Sequence, residues 1–185
     1  AGGSKRQFGS MAKPLHAGLA AKNGLVAAQL AAHGLAGIAE PLDGRWGYLD
    51  LMAGETAPGL AGPLAKLGGV PAMEEHGISA KAYPCCAATH RPIDALRSLN
   101  VRPEEVASIE AAISAMAAAN LRYRIPANPN EARFSLPYCL AVTLAEGMPR
   151  VASFSAGAVS RPALLPLMEQ VAVIIDPAQP ADGPI

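Results

Sequence analysis

Ten consecutive residues, from Lys81 to His90, carry many of the chemically versatile side chains of this sequence. They read K-A-Y-P-C-C-A-A-T-H and supply an amine, a phenol, two thiols, a hydroxyl and an imidazole. A loosely alternating pattern over residues 78–83 predicts a strand that Pro84 ends, and Thr89 with the apolar residues after it predicts a helix. The segment should therefore place polar groups at a helix N-terminus, where free N–H groups suit an anion.

Lys81 and His90 suggest acid–base chemistry on a carboxylate. A lysine beside a helix N-terminus can stabilise the enolate-like charge that forms when a proton leaves the carbon next to a carboxyl group. His90 should have a lowered pKa, because the helix macrodipole is positive in the first turn, and a neutral imidazole can accept a proton near pH 7. The alternative is a histidine that only caps the turn.

The adjacent thiols of Cys85 and Cys86 admit three interpretations. Their spacing to His90 allows a nucleophilic Cys–His pair. A metal site is less favoured, because adjacent cysteines chelate poorly and the sequence has no C-x-x-C or H-E-x-x-H pattern. The preferred interpretation is that these small side chains line a pocket. We predict that Cys85, Cys86 and Cys139 are free thiols without a metal.

Two further clusters could bind a carboxylate. Lys13 and His16 lie about one turn apart at a predicted helix start, so both can face one ligand. Arg133 precedes a helix that Ser135 should cap, and a guanidinium can hold a carboxylate through two hydrogen bonds. Tyr138, in the first turn of that helix, could protonate or hold a departing hydroxyl. The alternatives are solvated Lys13, His16 and Arg133 side chains and a half-buried tyrosine.

Three motifs, in the same order along the chain, resemble those of the MmgE/PrpD family. They are F-G-S-M-A-K-P-L-H-A-G at residues 8–18, the stretch at residues 81–90, and E-A-R-F-S-L-P-Y-C-L-A at residues 131–141. That family contains 2-methylcitrate dehydratases, cis-aconitate decarboxylases and iminodisuccinate epimerases. The resemblance implies an enzyme without cofactor or metal that acts on a small di- or tricarboxylate. It implies catalytic roles for Lys13, Lys81, His90 and Tyr138 and substrate-binding roles for His16, Cys86 and Arg133.

The expected reaction resembles 2-methylcitrate dehydration, in the pathway of propionate catabolism. A base removes a proton next to a carboxylate, lysines hold the negative charge, and an acid protonates the leaving hydroxyl. Some family members, including the decarboxylase branch, have a histidine two residues after the motif proline, where this chain has Cys86. This difference disfavours decarboxylation and leaves the identity of the acid and the base open. The alternatives are an epimerase, a decarboxylase, and a non-catalytic binding or assembly domain of the same fold.

The resemblance implies an α+β fold class, with the end of a mostly helical domain followed by a smaller α+β lid-like domain. We assign residues 1–54 to the helical domain, residues 55–76 to a Gly/Pro-rich linker and residues 77–185 to an incomplete lid-like domain. Family members are longer on both sides. We therefore expect an interior piece of a longer chain, inactive alone, that forms a homodimer when full length.

Periodicity predicts the main elements of both parts. Leu15, Leu19, Val26 and Leu30 mark one helical face that we expect to be buried. In the second part we expect a strand within residues 106–115 that turns Ile109, Ala111 and Ile113 towards the core. We also expect a helix from Ser135 to Glu146 that Gly147 ends, a helix over residues 161–169, and a buried strand over residues 171–175. We also expect Lys13 and Lys81 to open onto one cavity between the two parts.

Composition limits the classes of function. The 185 residues carry a formal net charge of zero and are 51% hydrophobic, so nothing indicates binding to nucleic acid or to an anionic membrane. The sequence has no nucleotide-binding glycine motif and no flavin, pyridoxal or iron–sulfur pattern. Three cysteines, two of them adjacent, make a poor disulfide framework, so we expect a reduced, cytoplasmic protein whose partner is a small-molecule carboxylate.

Overall fold

A computed structural model describes residues 3–53 and 61–179, without the side chains of residues 61, 63 and 72. The chain divides into one compact unit made of residues 1–20 and 81–185 and a second made of residues 21–80. The predicted linker at residues 55–76 lies partly outside the described residues, and the predicted domain boundaries stay a prediction.

The first helix, α1 (Ala12–Ala32), belongs in part to each unit. The Ser10 hydroxyl accepts a hydrogen bond from the Ala12 N–H at its start, and Gly34 follows its end with a positive φ of 88°. The prediction of a buried face is wrong, because no residue of α1 is buried. The four residues of that face are between 37% and 56% exposed, namely Leu15, Leu19, Val26 and Leu30. Alanines and glycines fill most other positions of α1, so the helix lacks a polar face opposite the leucines.

The unit of residues 21–80 continues with three short helices: α2 (Tyr48–Ala53), α3 (Ala61–Leu64) and α4 (Ala72–His76). None of the residues described in this unit is buried, and its larger apolar side chains, including Trp46, are exposed.

The core lies in the other unit and is centred on one helix, α8 (Leu136–Glu146). The Ser135 hydroxyl accepts a hydrogen bond from the Tyr138 N–H at its start, and Gly147 ends it with a φ of 78°, as predicted. Every residue from Leu136 to Leu144 is buried. This all-round burial arises because α8 packs against two helices, α5 (His90–Leu99) and α10 (Leu164–Glu169), and against a strand.

That strand belongs to a parallel pair, β1 (Ile109–Ile113) and β2 (Val171–Ile175), in register from Ile109 opposite Val171 to Ile113 opposite Ile175. The α+β fold class is confirmed, and β1 turns Ala111 and Ile113 towards the core as predicted. The expectation that β2 is a buried strand is wrong beyond Val171, since the other four residues are exposed. The strand predicted over residues 78–83 does not form, because no described strand pairs with this segment.

The remaining helices connect these elements. The alanine-rich run after β1 forms α6 (Ala115–Asn120), which the Ser114 hydroxyl caps. The helix predicted over residues 161–169 begins only at the start of α10. Two one-turn helices complete the unit, namely α7 (Pro129–Ala132) and α9 (Ala156–Val159). Within residues 3–53 and 61–179, no helix combines the length and apolarity needed to cross a membrane.

Candidate functional site

The motif of residues 81–90 forms a bend that is fastened to the start of α8. The Cys86 N–H donates a hydrogen bond to the Arg133 carbonyl at 2.9 Å. The Thr89 hydroxyl donates to the Cys86 carbonyl at 2.7 Å, which closes a 3₁₀ turn over Ala87–Thr89 that leads into α5. Thr89 was predicted to cap α5, but its side chain makes no capping hydrogen bond and serves the bend instead.

His90 is the first residue of α5 and is only 6% exposed. Its Nε2 atom has no hydrogen-bond partner among the described residues. Burial lowers the pKa of His90, and the charge of Lys81 lowers it further, while backbone groups of Tyr83 and Cys85 and the Asp94 carboxylate act in the opposite direction. The predicted direction of the pKa shift is confirmed, with burial rather than the helix macrodipole as its main cause.

Lys81 is the first residue of this motif, and its side chain is exposed. Its Nζ donates a hydrogen bond to the Cys85 carbonyl at 3.2 Å. The same ammonium group lowers the pKa values of His90 and of both neighbouring thiols, Cys85 and Cys86. The positive charge of Lys81 therefore affects the pKa values of several groups of the motif.

The three cysteines are free, as predicted. A hydrogen bond with Cys139 is the main cause of the lowered pKa of Cys85, while the pKa of Cys139 is raised well above its usual value. Burial raises the pKa of Cys86, and the charges of Lys81 and Lys13 offset this in part. A raised pKa keeps the Cys86 thiol protonated at neutral pH, which suits a pocket-lining group better than a nucleophile.

Lys13 and His16 lie one turn apart on α1 and are both half-buried. The Lys13 Nζ is 5.1 Å from the centre of the Phe8 ring and 5.4 Å from that of Phe134, so two aromatic faces hold the ammonium group. Phe8, Lys13 and His16 contribute to an open cavity of about 500 Å³. The predicted proximity of Lys13 and His16 is thus present.

Arg133 and Tyr138 are held by the protein itself. The Arg133 guanidinium donates to the Pro129 carbonyl at 3.0 Å and lies 5.6 Å from the Phe154 ring centre. Tyr138 is fully buried and its hydroxyl donates to the Ser153 carbonyl, while burial raises its pKa. A phenol in this position is shielded from any ligand in the observed conformation. The roles of both residues stay predictions.

Tyr123 is a phenol outside the helices and strands that was not among the predicted site residues. It is half-buried, and its hydroxyl donates to the Phe8 carbonyl at 2.8 Å, next to the aromatic pair that holds Lys13. Arg122, beside it, also donates to the Phe8 carbonyl. The signal that could have identified Tyr123 is the R-Y-R run at residues 122–124, an aromatic residue between two cations in a segment without regular structure.

A larger cavity of about 820 Å³ lies between α5, β1 and α6 and is lined mainly by small apolar side chains. Of the predicted site residues, Cys86 lines it. Neither this cavity nor the smaller one is lined by both Lys13 and Lys81. The structure therefore differs from the prediction that both lysines open onto one cavity. The two lysines instead share an electrostatic influence on Cys86.

Metal binding receives no support from side-chain geometry. In the part of the chain that the structure describes, no group of three or more His, Cys, Asp or Glu side chains is placed to hold a metal ion.

Comparison with known proteins extends over both parts of the chain. The MmgE/PrpD N-terminal domain family matches residues 2–61, and the MmgE/PrpD C-terminal domain family matches residues 83–184. Over 181 residues, the chain is 30% identical to a cis-aconitate decarboxylase of Mus musculus, with 91% of this chain and 36% of that protein covered. The chain therefore spans about a third of the length of this curated relative.

Proposed function

Because the chain belongs to the MmgE/PrpD family, we propose that the protein is a lyase that acts on a small di- or tricarboxylate, in a reaction that resembles 2-methylcitrate dehydration. The observation that supports this proposal most is the placement of charge around the motif. Lys13 and Lys81, which are 68 positions apart in the sequence, both offset part of the rise that burial causes in the pKa of the Cys86 thiol. The positive charges of both lysines therefore act on a residue of the motif.

We propose that both ammonium groups bind carboxylates of the substrate. In the described residues neither Lys13 nor Lys81 forms a salt bridge with a carboxylate of the protein. Lys13 contacts two aromatic rings, and Lys81 contacts a backbone carbonyl. A small anion with two or three carboxylates would supply the missing negative charges, and hydrogen bonds between charged groups are the stronger ones.

His90 is the proposed base. Burial and the nearby Lys81 lower its pKa, which favours the neutral imidazole, and its buried Nε2 atom has no hydrogen-bond partner among the described residues. A neutral imidazole can accept the proton that leaves the carbon next to a carboxylate, while the lysines stabilise the charge left on that carboxylate. The leaving hydroxyl then takes a proton from an acid. Tyr138, the acid that the family resemblance implies, is fully buried, so Tyr123 is the alternative because its hydroxyl lies near the Lys13 side.

A second candidate reaction is decarboxylation. It is favoured by the 30% identity to a protein named cis-aconitate decarboxylase. Loss of carbon dioxide would use the same lysines to hold the remaining carboxylates, but would need a proton donor to the product carbon. The protonated Cys86 thiol is half-buried at the motif and, unlike the histidine expected there in decarboxylases, carries no positive charge.

Titration of the full-length protein with citrate, 2-methylcitrate and cis-aconitate in a calorimeter tests the proposed carboxylate site. Lys13→Met and Lys81→Met should each weaken binding by about tenfold or more, which corresponds to the loss of one hydrogen bond to a charged group. Lys22→Met, at an exposed position of α1, is the matched control and should bind as the wild type does. Equal affinities in all three variants would contradict the proposed site.

A further inference from the structure

Tyr83 is a buried member of the motif for which the proposed chemistry has no use. Only 2% of its surface is exposed. Its ring lies edge-on to the His90 imidazole, with 5.1 Å between the ring centres and an angle of 82° between the planes. The ring therefore covers one side of the group that we propose as the base.

The Tyr83 hydroxyl is fixed by two charged residues of α5. It donates a hydrogen bond to the Asp94 carboxylate and accepts one from Arg97 Nη1 at 2.7 Å. His90, Asp94 and Arg97 lie at positions i, i+4 and i+7, so one face of α5 carries the imidazole and both anchors. The segment before the motif proline is thus bound to the same helix face that presents His90.

We propose that Tyr83 is a positioning residue for His90, with its ring shielding and orienting the imidazole and its hydroxyl anchored by Asp94 and Arg97. Shielding from water favours the neutral imidazole, and a fixed ring keeps the unpartnered Nε2 atom in one direction. The inference rests on the proposed function only where it treats His90 as a proton acceptor.

The effect of Tyr83 on the pKa of His90 must be separated from the effects of other groups around the imidazole. Lys81, on the segment before the motif, and Asp94, on α5, are the charged groups that act on the imidazole, in opposite directions. From α8, which packs against α5, the Cys139 thiol reaches Cys85 and Thr89. A substitution at Asp94 removes a negative charge, whereas one at Tyr83 admits water to the imidazole. The two substitutions should therefore shift the pKa of His90 in opposite directions.

The test is an NMR titration of the imidazole nitrogen signals of this chain between pH 5 and pH 8. The sequence has four histidines, and the signal that disappears in His90→Gln belongs to His90. Tyr83→Ala should raise the pKa of His90, because water reaches the imidazole. Tyr83→Phe, which keeps the ring without its anchor, should raise it less. Asp94→Asn keeps an acceptor oxygen but removes the negative charge, so it should lower the pKa of His90.

The signal of His33, which is exposed directly after α1, serves as the internal reference. An unchanged His90 titration in a folded Tyr83→Ala variant would overturn the proposal. If that variant does not fold, the opposite shifts of Tyr83→Phe and Asp94→Asn carry the test, and shifts of equal sign would overturn it. If these titrations behave as expected but the full-length protein binds no carboxylate, the proposed function fails while the positioning role of Tyr83 stands.

Discussion

Truncation of Leu140 should reveal how strongly α8 holds the core together. Leu140 is 1% exposed and lies at the centre of a helix whose residues from Leu136 to Leu144 are all buried. Removing a fully buried leucine side chain costs its transfer free energy plus the cavity left behind, in total about 2–5 kcal/mol. With a urea dependence of about 2 kcal/mol per M, the midpoint of unfolding should fall by about 1–2.5 M in Leu140→Ala.

Leu30→Ala is the matched control for this experiment. Leu30 lies on the face of α1 that the sequence predicted to be buried, but it is 46% exposed. Because alanine is also a better helix former than leucine, this variant should lose less than about 1 kcal/mol. Both midpoints are read from urea unfolding followed by far-ultraviolet circular dichroism. A loss for Leu30→Ala as large as that for Leu140→Ala would refute the assignment of the core to α8.

Three further results should follow from the structure. The free energy of unfolding should decrease as the pH falls below about 6.5, because His90 has a lowered pKa in the folded chain and the unfolded chain therefore binds the proton first. Urea unfolding at several pH values measures this slope, and His90→Gln should make it flatter. A thiol reagent should modify half-buried Cys86 before buried Cys139, as peptide mass spectrometry would show; the reverse order would contradict the burial pattern. Ser135→Ala should cost about 0.5–2 kcal/mol, and Ser155→Ala, at the exposed cap of a one-turn helix, should cost less in the same unfolding assay.

Local sequence signals predicted the elements whose formation depends on neighbouring residues. Ser135 and Gly147 mark both ends of α8, and the alternation of Ile109, Ala111 and Ile113 gives the inward face of β1. These signals work because capping and alternation are properties of consecutive residues.

Elements that depend on distant partners were not predicted correctly. Alternation over residues 78–83 suggested a strand, but a strand also needs a neighbour, and this segment is instead bound to α5 through Tyr83. The same limit applies to β2, whose apolar run indicated burial although most of it is exposed. The sequence of one strand does not indicate which of its two faces another element of the fold will cover.

The sequence identified Lys13, Lys81 and Cys86 separately as candidate site residues, and their roles stay predictions. It did not indicate that the Tyr138 hydroxyl would bind a backbone carbonyl, or that Tyr123 would contact the segment before Lys13. Both outcomes depend on contacts between residues far apart in the sequence.

Product analysis by NMR tests the proposed lyase chemistry most directly. The full-length protein is incubated with 2-methylcitrate, with cis-aconitate and with an amino-dicarboxylate, and the products are identified in each mixture. The account predicts an unsaturated tricarboxylate and water from 2-methylcitrate, and a loss of about a hundredfold or more in this rate for Lys81→Ala. Release of carbon dioxide from cis-aconitate, without dehydration of 2-methylcitrate, would contradict dehydration and establish the second candidate. Failure to convert any of the three carboxylates would contradict the proposed lyase function.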